Sequence, residues 1–271
     1  MTQQEKITST SDCMSAPQAF EKFFTPPRKS PTEQEQIFQE QADIYTIPAQ
    51  PAELTVFSWG KGKTILLVHG WGGRATQLGY FVEPLVELGY RVLAFDAPAH
   101  GKTAGTQTNV LEFAQAIRTV VEKEGSIDSI IAHSLGSAST AIVLDEGLEV
   151  RKIVFLGAVC CISTTVKMFC KSARLSQELE QELRSLMELK FGQDVWQKLS
   201  VDKRVKNLKI PALLFHDRND REIPLEDSIA INKSWSDSQL ITTSRLGHRR
   251  ILRDKAVIRQ AVNFIADKQE E

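Results

Sequence analysis

Long apolar runs are what this chain of 271 residues most clearly lacks. No stretch approaches the ~18 consecutive apolar residues that a membrane-spanning helix requires. The opening segment, MTQQEKITSTSDCMS, carries neither a basic n-region nor an apolar h-region. The expectation is a soluble, cytoplasmic protein with no membrane partner. Net charge is equally scarce. With 33 Lys and Arg against 34 Asp and Glu the balance is −1, so no global field draws the chain to nucleic acid. Cysteine is sparse: Cys13, Cys160, Cys161 and Cys170 form no CxxC pair and no metal-ligand spacing with histidine. No metal site is expected, and the four read as small apolar core residues in a reducing compartment. Internal repeats and low-complexity tracts are absent too, which excludes repeat arrays. A phosphate-binding P-loop is also missing. GKT occurs at 62–64 and at 101–103, but the glycine needed five residues earlier is Phe57 in one case and Asp96 in the other.

What is present is an alternation of short apolar runs and amphipathic stretches, in a chain whose 42% hydrophobic content suffices for one large α/β core. DIYTI, ELTVFSWG, TILLVHG, YRVLAF, DSIIAH, KIVFLGA, PALLFHD and QLITTS read as strands. TQLGYFVEPLVELG, NVLEFAQAIRTVVEKEG, LGSASTAIVLDEG, a segment near 225–235 and RDKAVIRQAVNFIADK read as helices. Uniformly apolar strands in βα units imply a mainly parallel sheet covered on both faces. Between Ala158 and Asn207 the alternation breaks into a helical insertion, with Leu175, Leu179, Leu183 and Leu186 at helical spacing; this is a candidate cap. Residues 1–42 are expected to form an N-terminal arm, mobile to about residue 14, then carrying Phe20, Phe23 and Phe24 on a helical turn or two stopped by Pro26, Pro27 and Pro31. Residues 43–271 are expected to form a single domain.

Chemistry gathers where strands of a parallel sheet end. IIAHSLGSAS, residues 130–139, runs from a strand into a helix with Ser134 at the turn. A sharp strand-to-helix elbow requires small residues two before and two after its apex, and Ala132 and Gly136 meet that demand. The alternative is an ordinary N-cap serine. A hydroxyl needs a base to become a nucleophile, and the base needs an orienting group. Of the five histidines, His69 and His100 lie in earlier loops, His133 is the neighbour of the serine, and His216 ends the strand that also brings the acid. His248, in SRLGHRRIL after the last strand, remains as the base. HDRNDREIP supplies Asp217 and Asp220; Asp220 is preferred because its loop can swing toward His248, with Asp217 as the fallback. Oxyanion donors are expected from the backbone N–H groups of Leu135 and of Trp71 in HGWGG.

HGWGG, FDAPAHGKT, AHSLG, HDRNDREIP and GHRRIL, in that order over about residues 53–268, resemble the α/β-hydrolase family. The resemblance implies a mostly parallel central sheet with helices on both faces, a small helical cap after strand 6, and Ser134, Asp220 and His248 as nucleophile, acid and base. No metal or organic cofactor is implied. Two departures stand out: Ala132 replaces the first glycine of GxSxG, and FDAPAHGKT carries Ala99 and Thr103 where DxxGxGxS is usual. The function that follows is a serine hydrolase cleaving ester-type bonds of a small-molecule or acyl substrate, touched by Trp71, His133, Met168 and Phe169. Phe191 and Trp196 could line an acyl pocket or pack the core, and the basic tract Arg245, Arg249, Arg250, Arg253, Lys255 and Arg259 reads as a solvated face. Two rivals differ in class. Gly70, Gly72 and Ala75 fit GxGxxA, with Asp96 ending the next strand, as in a dinucleotide site. The other is a noncatalytic binder, or an acyltransferase, on the same fold.

Overall fold

The computed structural model describes residues 14–268; Cys13 and nearly all of the N-terminal stretch expected to be mobile lie outside them. Two short helices come first, α1 (Ala16–Phe23) and α2 (Glu33–Glu40). Each opens with a reciprocal capping box, Ser15 with Gln18 and Thr32 with Glu35, which satisfies otherwise orphaned N–H groups. The first follows the expected turns. The second was not foreseen, although T-x-x-E at 32–35 is its signature.

Strands β1 (Asp43–Ile47), β2 (Leu54–Trp59) and β3 (Thr64–Val68) follow, then a 3-10 turn (Ala75–Phe81) running into α3 (Val82–Glu87). The expected single helix over 76–89 is thus split. At Gly79 the ring of Phe38 occupies the place of a side chain, 2.1 Å from where a Cβ would stand, so α2 packs directly on this turn. Strict alternation then sets in: β4 (Arg91–Asp96), α4 (Val110–Glu124), β5 (Ile127–His133), α5 (Leu135–Asp145) and β6 (Lys152–Leu156). The insertion comes next as α6 (Ile162–Ser172), α7 (Gln177–Phe191), α8 (Val195–Lys198) and α9 (Val201–Arg204). The chain closes with β7 (Ala212–Asp217), α10 (Leu225–Ser234), β8 (Ser238–Thr243), α11 (Gly247–Arg250) and α12 (Lys255–Ile265).

The eight strands form one sheet in the order β1-β2-β4-β3-β5-β6-β7-β8. From β4 to β8 every pairing is parallel, while β1 and β2 add an antiparallel edge. Because strand side chains alternate, each buried strand feeds two cores. Leu66, Val68, Ile130 and Phe155 face one core with Phe113 and Ile117 of α4. Ile65, Leu67, Ile131 and Phe215 face the other with Leu78, Ile258 and Ile265. Each such side chain contributes about 1.5–3 kcal/mol relative to exposure. The parallel strands β3, β5 and β7 end on one rim, where the loops bearing Trp71, Ser134 and Asp220 emerge. Among the described residues no helix is long and apolar enough to cross a membrane.

Candidate active site

The β5-to-α5 turn is sharp enough to force Ser134 to φ 52°, ψ −121°, a region that non-glycine residues avoid. Its neighbours explain how it is held. The Ser134 N–H donates to Leu156 O of β6 at 3.0 Å. At Gly136 a Cβ would lie 2.5 Å from His69 O and 2.7 Å from Val68 O, and at Gly70 one would lie 2.8 Å from Ser134 Cβ. Helix α5 therefore approaches β3 as closely as backbone permits, and no side chain fits between them. Serine as a plain N-cap is not what this turn contains, since its side chain makes no capping hydrogen bond.

Asp220 and His248 meet across 28 residues of sequence: the Nδ1 atom of His248 and the Oδ2 atom of Asp220 are 2.6 Å apart. The other carboxylate oxygen accepts the N–H groups of Glu222 at 2.8 Å and Ile223 at 2.9 Å. Burial pushes the Asp220 pKa up, but the His248 contact and these donors outweigh it and hold the carboxyl below its ordinary range. Gly157 (φ 56°) forms the floor; a Cβ there would stand 3.1 Å from His248 Nδ1. Asp217 does a different job. It accepts the N–H groups of Asn219 at 2.9 Å and Leu246 at 3.0 Å and the Thr243 hydroxyl at 2.8 Å, tying the Asp220 loop to the His248 loop. His216, set aside on sequence order, lies 3.6 Å from the same Asp220 oxygen while its ring contacts Ile223 O at 3.1 Å.

Ser134 and His248 line one cavity of about 740 Å³ together with Trp71, Leu135, Met168, Phe169 and Phe191. Among the described residues the Ser134 hydroxyl makes no hydrogen bond to the imidazole within 3.5 Å. Such contacts are often long in unliganded sites and tighten around substrate. Leu135 begins α5, so its N–H has no helical acceptor. The Trp71 N–H likewise finds no acceptor among the described residues. Its loop is braced by two histidines. The Nδ1 atom of His69 lies 2.7 Å from Gly70 O while its Nε2 accepts the Ala97 N–H, and the Nε2 of His100 accepts the Gly72 N–H at 2.9 Å. Burial lowers these two rings to about 3 and about 4, so both are neutral.

One expectation needs correction, and two open alternatives are decided. His133 does not line the cavity: it is 3% exposed, its Nε2 lies 3.0 Å from His248 O, and its Nδ1 is buried without a partner. The elbow sends its side chain into the core, where it packs against the His248 ring at 4.5 Å between centroids. Trp196 does not line the cavity either; its indole N–H donates to Glu188 Oε1 at 2.6 Å and Arg184 stacks on its ring. The dinucleotide reading fails at Asp96. That carboxylate is 2% exposed and already accepts the N–H groups of Ala75 and Lys102, both at 2.7 Å, so no ribose can reach it.

Sequence spacing also concealed one cluster. Cys160, Cys161 and Asp202 place three potential metal-ligating atoms within 4.8 Å of one another where the insertion begins and ends. Cys160 and Cys170 are buried, as expected of core residues, whereas Cys161 is half-buried and its thiol is lowered to about 7, chiefly by its hydrogen bond with Cys160.

Residues 65–175 match the profile of the α/β hydrolase family, and the sheet order and elbow agree with it. The chain has the α/β-hydrolase fold, and this stretch is similar to that family. The chain is 27% identical over 241 residues to a 2-hydroxy-6-oxononadienedioate/2-hydroxy-6-oxononatrienedioate hydrolase of Klebsiella pneumoniae, covering 70% of this chain and 82% of that protein. It is 33% identical over 112 residues to a non-heme haloperoxidase of Rhodococcus erythropolis, a match spanning 40% of this chain and 41% of the relative. A solved esterase of Pyrococcus furiosus shares the α/β-hydrolase fold, with a TM-score of 0.67, 20% identity, 90% of this chain covered and 100% of that one.

Proposed function

We propose that this protein is a serine hydrolase acting on ester-type bonds of an apolar acyl substrate through a covalent acyl-enzyme. The observation that carries the reading is the 2.6 Å His248–Asp220 pair opening onto the same cavity as the strained Ser134. Ser134 Oγ attacks the substrate carbonyl and His248 Nε2 removes its proton, while Asp220 fixes the Nδ1–H tautomer and stabilises the imidazolium that forms. The carbonyl oxygen becomes an oxyanion, accepted by the N–H groups of Leu135 and Trp71, each donor being worth about 3 kcal/mol in the transition state. His248 then returns the proton to the leaving alcohol. Water, deprotonated by the same ring, attacks the acyl carbonyl and releases the acid, restoring the Ser134 hydroxyl. The helices of the insertion act as a cap, and the apolar lining by Met168, Phe169 and Phe191 suits an acyl chain in that part of a cavity that Lys22, Arg221, Glu222 and Arg249 also line. The reading needs no metal or organic cofactor. It is tested by comparing wild type with Ser134→Ala on 4-nitrophenyl esters, with circular dichroism to verify folding. Turnover should vanish in a folded variant, and undiminished turnover refutes the assignment.

A further inference from the structure

The cavity is not closed by the sheet and the insertion alone. Its remaining wall comes from the N-terminal segment, whose Phe23, Phe24, Pro26 and Pro27 face Ser134 and His248 across the open space. We propose that this segment, which lies outside the stretch matching the family profile, forms the far wall of the substrate chamber and sets the length of apolar acyl chain the protein accepts. The proposal rests on the acyl-substrate reading above and deepens it.

Three groups of contacts show that the segment is built into the site. Its aromatic rings interlock with the insertion: Phe23 meets Phe169 edge-on at 5.3 Å between centroids, and Phe24 meets Phe191 at 5.6 Å. Its backbone is pinned to the loop after β4. The Arg28 guanidinium donates to the carbonyl oxygens of Gly101 at 3.1 Å, Thr103 at 2.8 Å and Gly105 at 3.0 Å, and the Thr108 N–H donates to Phe24 O at 3.0 Å. Finally, Pro27 is seated on the loop of the second oxyanion donor: a Cβ at Gly72 would lie 2.8 Å from Pro27 Cγ, directly beside Trp71.

Phe24 is buried, but Phe23 is only partly so and borders the cavity. A ring left against empty space between the nucleophile's chamber and a cap phenylalanine is placed to meet the end of a ligand. Each methylene that the chamber buries adds about 0.8 kcal/mol of binding, a rise of about fourfold in kcat/KM per carbon, until the chain reaches this wall. Beyond that length an added carbon finds no room.

The test is a series of 4-nitrophenyl esters from acetate to hexadecanoate, assayed on full-length wild type, Phe23→Ala and Phe23→Trp. The acyl length giving the highest kcat/KM should move to longer chains in Phe23→Ala and to shorter chains in Phe23→Trp, a pair of opposite shifts that a merely structural residue would not produce. An unchanged optimum in both variants, or an equal loss at every length, overturns the proposal. A binding measurement separates this from failure of the catalytic reading. With dansyl-undecanoic acid as a fluorescent probe, Phe23→Trp in a Ser134→Ala background should weaken binding at least tenfold relative to Ser134→Ala alone. If that loss occurs although wild type hydrolyses no ester, the wall stands and the hydrolysis does not; equal binding removes the wall.

Discussion

Acidification should destabilise this protein well above the pH at which carboxylates ordinarily titrate, because its buried histidines are built to be neutral. In His69 and His100 the Nε2 atom accepts a backbone N–H while Nδ1 lies against a carbonyl oxygen, 2.7 Å from Gly70 O and 2.9 Å from Pro98 O. A second ring proton would point at an N–H donor. The folded rings titrate at about 3 and about 4, against an ordinary value of 6.5. Between pH 6.5 and 5 the unfolded chain takes up these protons and the folded one does not, so stability falls with pH. At 1.36 kcal/mol per pH unit, each ring loses about 2 kcal/mol by pH 5. His69 and His100 together lose about 4 kcal/mol, and His133, pushed well below its ordinary value by burial and then by His248, acts in the same direction. Asp227 works in the opposite sense. Burial raises it from 3.8 to about 6 even though it accepts the Cys160 N–H, so below pH 6 the folded state gains protons first and recovers about 1 kcal/mol by pH 5. From His69, His100 and Asp227 the net loss is about 3 kcal/mol, a large fraction of the roughly 5–15 kcal/mol by which domains are usually stable. Urea unfolding followed by circular dichroism at pH 7 and pH 5 measures it directly, and His100→Gln, whose amide oxygen can still accept the Gly72 N–H, should shrink the loss by about 2 kcal/mol. Stability that changes by less than about 1 kcal/mol over this range, or an unaltered loss in His100→Gln, would refute the reasoning.

The two aspartates are expected to separate cleanly in mutagenesis. Asp220→Asn should lower kcat by roughly 10³–10⁴-fold with little change in melting temperature, through loss of the correct imidazole tautomer. Asp217→Asn, which disturbs three hydrogen bonds tying loops together, should instead lower stability by about 1–3 kcal/mol in urea titrations while Ser134 still becomes acylated. Gly157→Ala puts a methyl 3.1 Å from His248 Nδ1 at a residue with φ 56°. It should reduce kcat about 100-fold by displacing the ring, and a kcat within twofold of wild type would show that the floor is not tight.

Much of this architecture was legible because it is written in local patterns. Continuous apolar runs bounded by turn residues mark β3 to β7, and the small residues Ala132 and Gly136 mark the elbow without any knowledge of what packs against them. The order of Asp220 and His248 along the chain could be read for the same reason, since each follows a recognisable strand. What stayed hidden depends on distance in sequence. Nothing near Phe23 says that its partner is Phe169, and nothing near Cys160 says that Asp202 lies beside it. His133 was misjudged for a subtler reason. A side chain beside the apex of a sharp elbow must point away from it, so placing His133 among the substrate contacts conflicted with that geometry, and the ring lies buried against His248. The Ala99 departure proved tolerable in a similarly specific way: it adopts φ 64°, a conformation glycine favours, and Thr103 Oγ1 donates to Asp96 O at 2.7 Å to close the loop.

The central claim is that Ser134 becomes covalently acylated with His248 as its base. Intact-protein mass spectrometry of the enzyme quenched in acid milliseconds after mixing with 4-nitrophenyl octanoate, followed by peptide mapping, tests it most directly. The account predicts one octanoyl adduct on the peptide bearing Ser134, absent in Ser134→Ala and formed far more slowly in His248→Ala. An adduct on another residue, or rapid ester turnover with Ser134 never modified, would contradict it.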